Sequence, residues 1–245
     1  MLDAIKRWIS GGAHGPDWSE VSGWAQKHGH GFKRARDDEG FVIDGAMGDK
    51  PWRLEWGPPQ RSYIGARELR IRMELGLSSN LQMLLLSRLL MEMLERETFE
   101  RYTKSNQTLI DVSTPEEMRW LAMFPKVDLG EQPKELRNRF AAVASDPQTA
   151  LQWLEPAFSQ RLNEAAVRLL RQDPPFVLMT LRGRLYLRLE CALPEPLAIS
   201  QSVALFEAAA QAALHITGQA VKESADWPTT SSTAWHTLHP EDPKG

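Results

Sequence analysis

Between Trp52 and Leu75 the chain alternates apolar and polar residues almost without interruption. "WRLEW" sets Trp52, Leu54 and Trp56 against Arg53 and Glu55, and "RELRIRMEL" sets Leu69, Ile71, Met73 and Leu75 against Glu68, Arg70, Arg72 and Glu74. A period of two is that of a strand with one buried face. "GFKRAR" and "FVIDGAM" precede these runs, with turn signals at "DDEG" and "GDK" and a break at "GPPQ". The segment therefore predicts a four-strand antiparallel meander.

Other stretches carry helical spacing. Residues 3–10 predict a short helix closed by Gly11 and Gly12. Trp18, Val21 and Trp24 follow Asp17 on one face of a second helix that Gly29 ends. From Ser78 or Ser79 to about Tyr102 the apolar residues cover more than half a helical circumference, which predicts a long helix buried between layers or paired with another chain. "QTLIDV" predicts a short strand. In "STPEEMRWLAMF", Thr114, Pro115 and Glu117 stand as N-cap, N1 and N3 of a capping box. After "NRFAAVA", a strand, Asp146 and Pro147 open a helix that Pro156 divides. "FVLMTLRGRLYLRLE" (176–190) predicts a hairpin about Arg182-Gly183. Phe176, Leu178 and Thr180 then pair with Leu189, Leu187 and Leu185 on the core face, leaving Val177, Met179, Arg184, Tyr186 and Arg188 on the other. An alanine-rich helix follows from about Ile199 to Gly218.

These elements predict an α+β fold, antiparallel sheet with helices on one face. "ELRIRMEL" (68–75) and "RLYLRLEC" (184–191) match position by position, and each leads through a turn into a long apolar run. An internal duplication into two similar sandwich halves explains the match, as does the ordinary resemblance of any two amphipathic strands. The division expected is residues 1–124 and 139–221 as N- and C-terminal halves, 125–138 as linker, and 222–245 as a flexible or docked tail rich in proline, serine and threonine.

The composition, 42% hydrophobic and 25% charged over 245 residues, suits a globular chain with a real core. A net charge of −3 gives no general attraction to phosphate, so a nucleic-acid role needs a local basic patch. A single cysteine, Cys191, leaves no internal disulfide or cysteine-rich zinc site, and it falls on a core-facing strand position. No secretion signal stands out in "MLDAIKRWISGGAHG", and the apolar run 81–94 is too short to span a bilayer, so a cytoplasmic protein without a membrane partner is expected.

No motif fixes a reaction. Gly-rich phosphate loops and a G-x-S-x-G elbow are missing, and the pairs His28/His30, Asp37/Asp38 and His236/His239 have no recognised ligand spacing. No catalytic, cofactor or metal residue is assigned. The expectation is a non-enzymatic protein that binds an unidentified protein partner through a mixed sheet face of Met179, Arg184, Tyr186 and Arg188, through Trp227 and Trp235 of the polar tail, or through both. Self-association through the 81–94 helix is a further expectation. The rivals are an enzyme or small-molecule binder with a pocket between the halves and, more weakly, single-strand nucleic-acid binding on the sheet face. Acids among the arginines of 68–75 argue for cross-strand ion pairing rather than phosphate reading.

Overall fold

The computed structural model describes residues 17–36, 39–104 and 114–226. Eight antiparallel strands form one sheet in the order β1-β2-β3-β4-β8-β7-β5-β6. The expected meander is there: β1 (Gly31–Arg34), β2 (Phe41–Met47), β3 (Lys50–Gly57) and β4 (Glu68–Glu74). The other half of the sheet is β5 (Met83–Ser87), β6 (Phe140–Ala144), β7 (Phe176–Leu181) and β8 (Arg184–Glu190). The hairpin pairs as its pattern predicts, Thr180 with Leu185, Leu178 with Leu187 and Phe176 with Leu189. Arg182 and Gly183 take φ of 51° and 80°, two left-handed residues that give the turn the twist of its strands.

Seven helices are described: α1 (Ser19–Lys27), α2 (Arg88–Lys104), α3 (Glu116–Met123), α4 (Lys134–Arg139), α5 (Pro147–Trp153), α6 (Pro156–Arg168) and α7 (Pro196–Asp226). Pro156 divides α5 from α6 as expected. Asp146 caps α5 by accepting the Gln148 amide, and the Asp17 carboxylate accepts the Ser19 amide at α1.

One face of the sheet packs along its length against α1, α5, α6 and α7. Trp52, Leu54, Leu69, Ile71, Leu185 and Leu187 meet Trp18, Trp153, Phe158 and Phe206 there. Three indoles tie it down: Trp52 donates to Glu207 at 2.9 Å, Trp153 to the Ala209 carbonyl, and Trp56 to the Cys191 carbonyl. Cys191 is buried as expected. The opposite face is covered over β5, β6 and β7, where α2 and α3 set Leu90, Leu94, Met118 and Trp120 on Leu84, Leu86, Val143 and Val177.

The sequence pattern misleads at 78–102. Residues 83–87 are a strand inside the sheet, and the helix begins only at Arg88. Every residue of β5 is buried, because it is covered on both faces, so the alternation that marks a strand is lost and the run looks like a buried helix. Its apolar surplus is thus consumed inside the molecule. Of the 81–94 segment, Leu89 and Met93 face outward, 59% and 41% exposed.

The two matching strands are neighbours. β4 and β8 pair over seven residues, from Glu68 opposite Glu190 to Glu74 opposite Arg184. β5, which precedes the expected linker, is bonded to β6 and β7, and the linker segment itself holds α4 and a bridge from Lys126 to Val143. Helix α7 runs past Gly218 to Asp226, into the segment assigned to the tail. Its Pro196–Gly218 part is long and apolar enough to cross a membrane by length and composition, and half of it is buried within this fold. Asp37, Asp38, Trp227, Trp235, His236, His239 and the strand expected at "QTLIDV" lie outside the described residues, as does the short helix expected at residues 3–10.

Candidate functional site

The sheet face bearing Asp44, Arg53, Glu55, Arg72, Tyr186 and Arg184 has no helix over it among the described residues. Strand register decides how its charges meet. Asp44 lies opposite Arg53, Arg53 opposite Arg72, and Arg72 opposite Tyr186. One rung along, Glu55 lies opposite Arg70 and Arg70 opposite Arg188. Glu55 serves three guanidiniums, with Arg53 at 2.9 Å, Arg70 at 3.3 Å and Arg72 at 3.8 Å. Burial alone would raise its carboxyl pKa, but those three cations outweigh burial and hold it below the usual range. At the hairpin end Glu74 accepts from Arg184 at 2.6 Å, and that bond lowers the Glu74 pKa. The cross-strand pairing expected of this face is present, and it occupies both signs.

A second layer of charge lies beneath the loop between β3 and β4. Glu68 is fully buried. Its carboxylate accepts from Arg188, from Arg70 at 3.2 Å and from the Gln60 amide at 2.6 Å. Glu117 is also fully buried and accepts from Arg61 Nε at 2.9 Å and from the Tyr63 hydroxyl at 2.8 Å, with Arg188 Nε at 4.0 Å. Burial, then the adjacent Glu117 charge, raises the Tyr63 pKa far above its ordinary value. Tyr63 is therefore a fixed hydrogen-bond donor, not a proton relay at neutral pH. Glu117 Oε2 and Arg70 Nε are buried without a hydrogen bond.

The expected capping box does not form. Pro115 is the residue before α3 and no side chain caps the helix. Glu117 turns inward to Arg61 and Tyr63, because a guanidinium and a hydroxyl together bind a carboxylate more strongly than one backbone amide at a helix start.

The expected contact residues separate. Arg184 is about half exposed on the open face, and Tyr186 is half-buried beside it. Arg188 is 14% exposed and held by Glu68. Met179 is 3% exposed, under the helices that cover β5 to β7; the open face ends one strand earlier than the hairpin pattern implies. Residues missed by sequence reasoning are Glu68, Glu117, Arg61 and Tyr63. Glu68 continues the alternation of β4 and looks like any outward acid, and no spacing links residue 117 to residue 61.

Two depressions open on this face. A cavity of about 100 Å³ is lined by Arg53, Glu55, Arg70, Arg72, Tyr186 and Arg188. A broader hollow of about 550 Å³ lies beside it, between Asp44, Arg53, Arg72 and Arg184. Among the described residues no group of three or more His, Cys, Asp or Glu is arranged to hold a metal ion. His28 and His30 stack with ring centroids 6.1 Å apart, and His215 pairs with Glu155 at 3.3 Å on an exposed helix face. Compared with protein families, curated proteins and solved structures, the chain matches none of them.

Proposed function

We propose that the chain is a non-enzymatic interaction protein that docks a partner protein on the open sheet face formed by β2, β3, β4 and β8. The observation that carries this reading is the asymmetry of the sheet. Among the described residues helices cover one face and, on the other, only β5 to β7, leaving a mixed-charge surface with Tyr186 at the margin of its covered part. A surface whose cations are already paired with acids suits a protein partner, which can exchange those pairs one for one, better than a polyanion. Trp227 and Trp235 are proposed as a second contact, on the composition of their segment alone.

The reading is tested by placing a photoreactive side chain at position 184 of the full chain and identifying what it cross-links in its native cell. A discrete cross-linked protein, lost in Tyr186→Ala at unchanged Tm, is the expected result. Cross-linking indifferent to Tyr186→Ala would remove the sheet face from the argument.

The rival reading, a small-molecule binder or enzyme with a pocket between two halves, finds little support at the β4–β8 seam, where the strands are hydrogen-bonded residue by residue and the cavity is about 100 Å³. The hollow of about 550 Å³ beside it and the groove of about 660 Å³ lined by Arg88, Lys126 and Arg137 fall within the roughly 300–1,000 Å³ of ordinary ligand sites. Single-strand nucleic-acid binding through Arg184, Tyr186 and Arg188 is weakened by the prior engagement of both arginines with acids.

A further inference from the structure

The register of β3, β4 and β8 sets arginine against arginine twice. Arg53 faces Arg72, and on the next rung of the same face Arg70 faces Arg188. Like charges directly opposite are destabilising in a sheet. Elsewhere on this face Asp44 faces Arg53 and Glu74 faces Arg184, and where two acids meet, Glu68 opposite Glu190, each is held by its own donors, Glu68 by Arg70 and Arg188 and Glu190 by the Gly65 and Ala66 amides. The four guanidiniums line one cavity of about 100 Å³, whose lining contains a single carboxylate, Glu55. The cations are unequally satisfied. Arg70 and Arg188 are anchored on buried Glu68, and Arg53 bonds Glu55 and Asp44. Among the described residues Arg72 has only the 3.8 Å approach of Glu55 and donates no hydrogen bond, and it is 59% exposed.

We propose that this cavity is a seat for one carboxylate carried by an acidic segment of the partner protein. Arg72 and Arg53 form its exposed fork, and Arg70 and Arg188, fixed from beneath by Glu68, supply the field. The inference rests on the interaction reading above and names the chemistry of its partner. Size and charge both choose the occupant. A cavity of this volume takes a carboxylate group, not a nucleotide. Glu55 in the wall and Asp44 and Glu74 around it repel a continuous polyanion but leave room for an isolated acid. A planar carboxylate matches the paired donors of a guanidinium, and charge-assisted bonds of this kind are the strong ones.

The test uses the full chain and two dye-labelled, end-blocked peptides, one alternating glutamate and serine, the other with glutamine for each glutamate. Saturable binding of the glutamate peptide, about tenfold tighter than the glutamine peptide, is expected, as for one charge-assisted pair. Arg72→Gln removes that preference with Tm unchanged, and Arg137→Gln, in a separate basic groove, leaves it intact. Equal affinity for the two peptides overturns the proposal. So does a preference that survives Arg72→Gln, displacement by inorganic phosphate at comparable concentration, or tighter binding of oligo-thymidine. A cross-linked partner that depends on Tyr186, together with equal affinity for the two peptides, removes the carboxylate seat and leaves the interaction reading. A selective, Arg72-dependent preference with no partner on the face supports the seat and removes that reading.

Discussion

Arg70 and Arg188 lie directly opposite each other on β4 and β8, and the one carboxylate of Glu68 bonds both. That carboxylate is the one they share; Glu55 adds a contact to Arg70 at 3.3 Å and Glu117 stands 4.0 Å from Arg188. Glu68→Gln leaves two largely buried guanidiniums facing each other, so a loss of about 3–5 kcal/mol is expected. For a chain of this size that lowers Tm by roughly 6–20 °C. Urea unfolding of the single variant and of Glu68→Gln with Arg188→Gln measures it. The double variant recovers part of the loss, and a single variant within about 1 kcal/mol of the parent would mean that the carboxylate is idle.

Tyr63→Phe removes one of the two short bonds to buried Glu117 without opening space. Its expected cost is about 1–3 kcal/mol, the penalty for leaving a buried acceptor short of a donor. Tyr63→Phe in a Glu117→Gln background costs less, and a double-mutant cycle reads the difference.

Acid weakens the open face in a defined direction. Glu55 binds its proton less tightly in the folded chain than at its ordinary value of 4.5, since Arg53, Arg70 and Arg72 outweigh burial. Its contribution to stability is therefore fully present above that value and is lost as pH falls through the lowered folded one. Tm recorded from pH 7 down to pH 3 should fall less steeply for Glu55→Gln than for the parent. Parallel profiles would show that the three arginines do not depend on this acid.

Gly183 has φ of +80°, and a Cβ there would meet the Leu77 carbonyl oxygen at 3.1 Å and the Glu74 carboxylate at 3.2 Å. Gly183→Ala is expected to cost about 1–2 kcal/mol, as left-handed strain adds to crowding. Arg182, at φ of 51°, gives the opposite result: Arg182→Asn raises stability slightly, because asparagine tolerates that region better. Thermal unfolding of the two variants in parallel tests the turn.

Burial, with the nearby Glu195, pushes the Cys191 thiol up to about 11, and its Sγ contacts the Leu193 carbonyl oxygen. At pH 8 the native chain should react with a disulfide reagent on the order of a hundredfold more slowly than the chain in denaturant, because little thiolate forms and access is blocked. Equal rates would place Cys191 at the surface.

The meander and the hairpin were legible because each has one buried face and therefore keeps its alternation. Leu69, Ile71 and Met73 declare β4 by themselves, and Arg182-Gly183 declares the turn between β7 and β8. β5 was not legible, since "MLLLS" is enclosed on both sides and carries no period. The ionic pairing of the open face could be anticipated from the acids among its arginines, and Arg184 stands on that face as its position implied. Met179 could not be placed, because what covers it comes from α2 and α3, far away in sequence. Glu117 was hidden by a competing local pattern. "STPEE" satisfies every requirement of a cap, and only the arrival of Arg61 and Tyr63 from another loop draws its carboxylate away.

The central position of β8 also governs when the sheet is completed. Glu74 and its partner Arg184 are 110 residues apart, and a chain elongating at roughly 5–20 residues per second leaves an interval on the order of ten seconds between the two. Throughout it the growing polypeptide holds β4 with one side unpaired and its apolar face uncovered by α7, which follows β8 in the chain. Such a strand invites pairing with another nascent chain. Arg70, Arg72 and the acids beside them are already in place then, and their charges make that same strand a poor template for its copies on neighbouring ribosomes.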